Sequence, residues 1–155
     1  MLTYIRTALT RRTAAGIFML ASATIATGAQ AATYTMFRDP GCGCCTQWAA
    51  HAQKGLNAKV KVVNAVDMGA IKAKYQVPAA LQSCHTAIVA GYVIEGHVPA
   101  ADVARLIRTK PKGVRGLAVA GMPMGSPGME QGDHRQPYKV IAFGPSGQKV
   151  FASYN

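Results

Sequence analysis

The sequence predicts an α/β fold, a single domain in which helices pack against a mixed β-sheet. A length of 155 residues is typical of one domain. Hydrophobic residues make up 50% of the chain and charged residues only 15%, a composition that supports a core and argues against disorder. Runs of β-prone residues alternate with helical patterns in the order β-α-β-α-β-β-α, and a C-terminal β-hairpin closes the chain.

The predicted domain begins with a strand, a helix and a second strand. Residues 34–37 form a short β-prone run that stops at the turn sequence Asp39-Pro40-Gly41. We expect a helix over residues 46–54 that ends with Gly55 in the left-handed conformation. The valines within residues 60–63 then mark the second strand.

A short helix, a pair of strands and a third helix follow. Asp67 is suited to cap the short helix, which must end before Val77-Pro78 because proline disfavours the helical conformation in the residue before it. Residues 86–89 and 92–94 are predicted to pair around a turn, and Pro99 fits the first turn of the third helix.

The last third of the chain is predicted to contain a long loop and a hairpin. Residues 113–132 are rich in Gly, Pro and Met and lack sustained periodicity, so we expect an extended loop. Residues 138–143 and 149–154 are β-prone and flank a turn at 144–147, which predicts the C-terminal hairpin.

Residues 1–31 have the pattern of a secretory signal peptide. A basic start without acidic residues leads into an apolar stretch of small residues, and Ala29-Gln30-Ala31 is a cleavage pattern. The apolar stretch is short for a membrane span and is diluted by Thr, Ser and Gly, which disfavours a retained anchor. We therefore expect residues 32–155 to be an exported, periplasmic domain without a stable membrane anchor. The Arg11-Arg12 pair leaves twin-arginine export open beside the general route.

The net charge of +11 does not by itself indicate nucleic-acid binding. The basic residues are scattered, and neither a nucleic-acid-binding motif nor an interleaved aromatic-basic pattern accompanies them in the sequence. A solvated basic surface is the simpler interpretation, and no nucleic-acid partner is expected.

Cysteine chemistry is the most informative feature of the sequence. Cys42, Cys44 and Cys45 form a C-x-C-C motif at the N-terminus of the first predicted helix, and Cys84 precedes the strand at 86–89. The amino end of a helix presents unpaired N–H groups and a partial positive charge, which favour thiolate. In thioredoxin-like folds the reactive cysteines occupy this junction, and the loop before the third strand packs against them. We therefore predict a thioredoxin-like domain in which the cysteine sulfurs converge.

Three interpretations of the cysteines are open. Thiolates bind soft metals, the Cys42/Cys45 pair could exchange with disulfides, and an oxidising compartment permits structural bridges, for instance Cys42–Cys45 with Cys44–Cys84. Four sulfurs are more than one loop needs for structural bridging. Metal binding is therefore the leading hypothesis.

Copper(I) fits the available ligands better than zinc or an iron–sulfur cluster. The C-x-C-C spacing is unusual for both of those, whereas thiolates together with thioethers select Cu(I). Met122, Met124 and Met129 lie in the Gly/Pro-rich loop, with His134 close behind, and these residues are candidate further ligands. The alternative is that the methionines only fill gaps in the packing.

The other three histidines differ in their expected roles. His97 lies in a loop before a helix and is a candidate ligand, against the alternative of a hydrogen-bonded loop histidine. His51 lies too far along its helix from Cys44 to share a metal with it. His85 is adjacent to Cys84, and alternation along a strand is expected to turn it to the opposite side.

Motifs in a specific combination cover most of residues 32–155. They are Asp39-Pro40-Gly41-Cys42-Gly43-Cys44-Cys45 followed by Trp48, Val77-Pro78, Ser83-Cys84-His85-Thr86, Tyr92-Val93-Ile94-Glu95-Gly96-His97-Val98-Pro99, Gly116-Leu117-Ala118-Val119, and Gly121-Met122-Pro123-Met124-Gly125-Ser126-Pro127-Gly128-Met129-Glu130. In this combination the chain resembles the CopG-type periplasmic copper-resistance proteins. The resemblance implies a thioredoxin-like fold, copper held by the four cysteines, and copper tolerance through Cu(I)/Cu(II) redox cycling.

The resulting hypothesis is an exported copper-homeostasis protein that binds Cu(I), more than one ion per chain. Four thiolates around one Cu⁺ leave an excess of negative charge that is costly to bury, and sharing the thiolates among several ions reduces it. Other periplasmic copper-handling proteins are the expected partners. The alternatives are a thiol–disulfide oxidoreductase that uses Cys42 and Cys45, and a copper chaperone without turnover; whether the protein is a copper-dependent oxidoreductase is left open.

Overall fold

A computed structural model describes residues 32–155, so the predicted signal peptide lies outside the described residues. The helices are α1 (Gly43–Leu56), α2 (Met68–Lys74) and α3 (Ala100–Thr109). The strands are β1 (Thr33–Arg38), β2 (Lys59–Asn64), β3 (His85–Val89), β4 (Tyr92–Glu95), β5 (Gly116–Ala118), β6 (Tyr138–Gly144) and β7 (Gly147–Tyr154).

The strands form one mixed sheet in the order β2-β1-β3-β4-β5-β6-β7. Strands β1 and β2 are parallel, as are β4 and β5, and the other neighbours are antiparallel. This sheet confirms the predicted α/β class, and the β6–β7 pair confirms the C-terminal hairpin. The thioredoxin-like assignment stays a prediction, with which the order β2-β1-β3-β4 is compatible.

Helices cover both faces of the sheet because strand residues alternate between two apolar clusters. On β4, Ile94 belongs to the cluster that contains Trp48 of α1 and Leu106 of α3. Its neighbour Val93 belongs to the opposite cluster, together with Phe143 of β6. The α1 face therefore holds the larger core, and the amino end of α1 meets the edge of that core.

The first helix is longer than the sequence predicted. It begins at Gly43, so the motif cysteines lie on or directly before its first turn, and it ends at Leu56 with Asn57 in the left-handed conformation at φ 46°. Gly55 lies inside the helix, and a Cβ there would collide with the side chain of Ala100 at the start of α3. The prediction that Gly55 ends the helix was wrong, because its small size serves helix–helix packing instead.

The predicted loop over residues 113–132 contains the short strand β5, which the sequence analysis missed. Leu117 and Ala118 of this strand are fully buried, and the strand bridges β4 and β6. Three residues are too few to show alternation in a sequence. The predicted cap of α2 is confirmed, since Asp67 accepts a hydrogen bond from the Ala70 N–H at 2.9 Å.

Within the described residues, no helix is both long enough and apolar enough to cross a membrane.

A buried ion pair lies on the face opposite α1. Lys72 Nζ of α2 is 2.6 Å from Glu95 Oε1 of β4, and Glu95 is fully buried. The same carboxylate accepts hydrogen bonds from the Thr86 hydroxyl at 2.6 Å and from the Ser83 N–H at 2.7 Å. Burial still raises the pKa of Glu95, because desolvation outweighs its partners. The carboxylate thus depends on its hydrogen bonds and on the lysine.

We predict that Lys72→Met destabilises the protein by about 3–5 kcal/mol, because it leaves a buried carboxylate without its cation. The double variant Lys72→Met/Glu95→Gln should recover part of this loss. Urea unfolding measures both. Lys74→Met is the matched control, since Lys74 is exposed on the same helix, and its effect should stay within about 0.5 kcal/mol. Equal losses for the two single lysine variants would contradict the prediction.

Candidate metal centre

The junction between β1 and α1 is a tightly bonded turn that presents the cysteine motif. The Asp39 carboxylate accepts from the Gly41 N–H at 2.8 Å, and the Cys42 N–H donates to the Asp39 carbonyl at 3.1 Å. Arg38 donates from Nη1 to the Cys42 carbonyl at 2.7 Å. Cys42 occupies the N-cap position of α1 without a side-chain capping hydrogen bond. The positive end of the helix therefore faces the motif sulfurs.

The structure brings all four cysteine sulfurs within 4.8 Å of one another. Cys42 and Cys45 are joined in a disulfide, whereas Cys44 and Cys84 are free thiols. Cys44 Sγ lies 3.5 Å from Cys42 Sγ and 3.9 Å from Cys84 Sγ. The loop before β3 thus packs its cysteine against the amino end of α1, and the four sulfurs have the spacing that a shared metal cluster requires.

Cys84 is paired with His97 inside the protein. Cys84 Sγ lies 2.9 Å from His97 Nε2, and His97 Nδ1 lies 2.8 Å from the Pro127 carbonyl oxygen. A carbonyl can only accept, so Nδ1 carries the ring proton and Nε2 presents its lone pair to the sulfur. Burial, reinforced by the neighbouring Cys44, raises the pKa of Cys84 to about 11. Burial also lowers the pKa of His97.

His85 is part of this cluster, and the prediction that it turns away was wrong. Its ring is fully buried, lies 4.5 Å from the Trp48 ring between centroids, and meets the His97 ring edge-on at 5.2 Å. One of its nitrogens lies within 4.8 Å of Cys84 Sγ and of a His97 nitrogen. Strand β3 begins at His85, so Cys84 precedes the strand and the alternation rule does not relate the two.

The methionine-rich loop covers the amino end of α1. Gly128 adopts φ +84°, and a Cβ there would lie 2.8 Å from the Cys44 carbonyl oxygen and 2.7 Å from the Trp48 backbone nitrogen. Met122 and Met129 line a cleft of about 430 Å³ together with Cys44. Two of the three predicted methionines therefore line the same cleft as Cys44, which is a free thiol.

Met124 and His134 occupy other positions. The backbone of Met124 is held by Gln136, whose side chain accepts from the Met124 N–H at 2.9 Å and whose N–H donates to the Met124 carbonyl at 2.9 Å. His134 is exposed, and among the described residues neither cluster of candidate ligands includes it. His51 accepts the Ala100 N–H at 3.1 Å through Nε2, so it caps α3.

The fold and site define a class of protein: a small α/β domain with a cysteine and histidine cluster suitable for binding a soft metal. The solved structure of copper resistance protein CopG, form 1, is 40% identical and aligns over 81% of this chain and 98% of its own, with a TM-score of 0.74. Form 2 is also 40% identical, over 81% and 100% of the two chains, with a TM-score of 0.75.

The family model described as "Protein of unknown function, DUF411" matches residues 81–129, which include Cys84, both buried histidines and the methionine loop. A comparison with curated proteins gave no match. At 40% identity over nearly the whole length of the solved structures, the chain belongs to the CopG copper-resistance family. The resemblance carried by the sequence motifs is therefore confirmed.

The histidines predict how the stability of the reduced, metal-free protein depends on pH. Burial lowers the pKa of His51, His85 and His97, so the unfolded chain binds protons at a higher pH than the folded chain does. The contribution of these histidines to stability is therefore complete above a pH of about 6.5 and decreases as the pH falls, by up to about 1.4 kcal/mol per pH unit for each histidine. Urea unfolding between about pH 7.5 and 5.5 measures this slope.

His85→Phe should flatten that slope, because it removes the most strongly shifted of these groups. His134→Gln is the control, since it removes an exposed imidazole and should leave the slope unchanged. An equal slope in wild type and His85→Phe would show that His85 does not stay neutral in the folded state.

Proposed function

We propose that this protein is an exported copper-resistance protein that binds Cu(I) through Cys42, Cys44, Cys45 and Cys84. The observation that carries the proposal is the convergence of four sulfurs within 4.8 Å at the amino end of α1. Thiolates are soft ligands that suit Cu(I), and the C-x-C-C spacing is unusual for zinc or an iron–sulfur cluster. The solved relatives carry the name copper resistance protein, which agrees with this chemistry.

The cluster binds more than one copper ion in this proposal. Four thiolates around one Cu⁺ carry an excess negative charge that is costly where Cys45 is fully buried and the other sulfurs are half-buried. Bridging thiolates between several Cu⁺ ions neutralise this charge. Cys44 Sγ lies 3.5 Å from Cys42 Sγ and 3.9 Å from Cys84 Sγ, and this spacing suits such sharing.

Copper loading requires reduction of the Cys42–Cys45 disulfide. Two electrons and two protons from a dithiol reductant convert the disulfide to two thiols, and the reductant is oxidised to its own disulfide. The protons of the thiols leave as Cu⁺ binds. The disulfide seen in the structure is thus the oxidised form of the same site.

Further ligands are proposed around the cysteines. His97 Nε2 faces Cys84 at 2.9 Å, and Met122 and Met129 line the cleft beside Cys44. A thioether at the mouth of the cleft would pass Cu⁺ to and from the thiolates, which suits exchange with other periplasmic copper-handling proteins. That Met124 and His134 also bind copper stays a prediction.

A thiol–disulfide oxidoreductase is the second candidate function, and the Cys42–Cys45 disulfide favours it. The position of Cys44 argues against it, because a thiolate 3.5 Å from Cys42 Sγ would attack the disulfide internally. Turnover of a disulfide substrate that survives Cys44→Ser would support this second function.

Repeated anaerobic and aerobic spectra with copper distinguish a protein that cycles copper between Cu(I) and Cu(II) from a chaperone that only carries Cu(I).

We predict that Cys84→Ser lowers the Cu(I) bound per chain after anaerobic reconstitution of reduced protein with excess Cu(I). The reason is that the hydroxyl oxygen is a poor ligand for Cu(I) compared with thiolate. Metal analysis after gel filtration measures the stoichiometry. Thr46→Ala is the matched control, an exposed position beside Cys45 on α1 that should bind as much copper as wild type.

Two outcomes would contradict the proposed function. One is wild-type protein that binds no copper after full reduction, and the other is full copper retention in Cys84→Ser.

We predict that Gly128→Ala weakens Cu(I) binding by about 10-fold, because the new Cβ pushes the methionine loop away from α1. Competition with a chromophoric Cu(I) chelator measures the affinity. Gly132→Ala is the control, since Gly132 also has a positive φ of +57° but no atom within 4 Å of the added Cβ. Equal effects of the two variants would show that backbone strain, and not loop contact, determines the result.

A further inference from the structure

We propose that Cys84, His85 and His97 form a second copper position, with one sulfur and two imidazole nitrogens as ligands. This inference rests on the proposed Cu(I) function. It adds to the four-sulfur cluster a site on the core side of Cys84, and Cys84 is shared between the two.

The spacing of the three ligand atoms supports one ion among them. One atom from each residue lies within 4.8 Å of the other two. Bonds of about 2.0–2.3 Å from a metal to nitrogen and sulfur place ligand atoms within roughly 4.6 Å of one another. Small side-chain movements therefore bring Cys84, His85 and His97 around one ion.

Within residues 32–155 the ring nitrogens of His85 have no well-formed hydrogen bond. Among the described residues neither Nδ1 nor Nε2 makes a hydrogen bond of ordinary length and angle, although the ring is fully buried and the Gly96 backbone lies near it. An unpaired buried polar group costs about 1–3 kcal/mol, and a phenylalanine would stack on Trp48 without that cost. A metal ion bonded to one of these nitrogens explains why an imidazole occupies this position.

His97 is already oriented as a ligand. Its Nδ1–H donates to the Pro127 carbonyl at 2.8 Å, which fixes the tautomer and leaves Nε2 free to bind beside Cys84 Sγ. Histidine ligands of metals in proteins have this second hydrogen bond in nearly all cases. His51 provides the contrast, since its Nε2 is occupied by the Ala100 N–H at 3.1 Å.

The chemistry of this position differs from that of the sulfur cluster. Neutral imidazoles add no negative charge, which suits a site whose two histidines are fully buried. One thiolate with two imidazoles is the ligand set of protein copper sites that hold both Cu(I) and Cu(II). This position therefore accommodates copper in either oxidation state, Cu(I) or Cu(II), whereas the four-sulfur cluster favours Cu(I).

The deciding experiment uses the wild-type protein and Cu(I) alone. Reduced protein labelled with ¹⁵N is titrated with Cu(I) without oxygen, and the histidine ring nitrogens are followed by NMR, since Cu(I) is diamagnetic. We expect the signals of one ring nitrogen of His85 and of Nε2 of His97 to shift, while those of His51 stay unchanged. Unmoved His85 nitrogens at saturating Cu(I) would overturn the proposal.

A variant separates this inference from the proposed function. His85→Phe keeps the ring packed on Trp48 and should bind one copper ion fewer per chain than wild type. His51→Gln, which keeps an acceptor for the Ala100 N–H, should bind the wild-type number. If wild type binds Cu(I) and folded His85→Phe binds the same number of copper ions per chain, the proposal of a second position is wrong and that of the sulfur cluster is retained. If wild type binds no Cu(I), both proposals fail.

Discussion

The hydrogen bond from His97 Nδ1 to the Pro127 carbonyl, at 2.8 Å, is the interaction on which the site depends. It fixes the ring tautomer, so a lone pair points at Cys84, and it ties the methionine-rich loop to the segment after β4. The Trp48 indole N–H donates to the adjacent Val98 carbonyl at 2.9 Å and attaches the same segment to α1. One short segment therefore connects the helix, the loop and the fourth cysteine.

The loop that carries Cys84 is held from the opposite face of the sheet. The Ser83 N–H donates to the buried Glu95 carboxylate at 2.7 Å, and Lys72 balances its charge. Gly96 follows directly on β4, and any Cβ there would collide with the Ser83 side chain. A buried ion pair contributes little net stability, but it has well-defined geometry. Here that geometry positions the residue beside Cys84, so the ion pair orders the site.

Local patterns predicted much of this fold, and contacts between distant residues limited the rest. The cysteine motif, the cap by Asp67 and the hairpin of β6 and β7 are encoded in short stretches, so they could be found in the sequence. Strand β5 has only three residues and exists because β4 and β6 flank it. His85 was missed for a related reason, since its role depends on where β3 begins and on Trp48 packing above it.

The site changes in character from the amino end of α1 to the buried histidines. Cys42, Cys44 and Cys45 lie at the positive end of α1, where the helix favours negative charge. Cys84 lies beside them in the loop before β3, where burial raises its pKa to about 11 and its sulfur lies 2.9 Å from Nε2 of the neutral His97. Beyond it stands His85, fully buried and uncharged.

A metal cluster that extended inward on sulfur alone would add a negative charge with each thiolate, in a region that penalises charge. Neutral imidazole in place of thiolate keeps the number of metal ligands and adds no negative charge. Cysteines therefore lie where the helix end stabilises negative charge, and histidines lie where the surroundings do not. Cys84 is the ligand shared between the sulfur cluster and the position with two imidazoles.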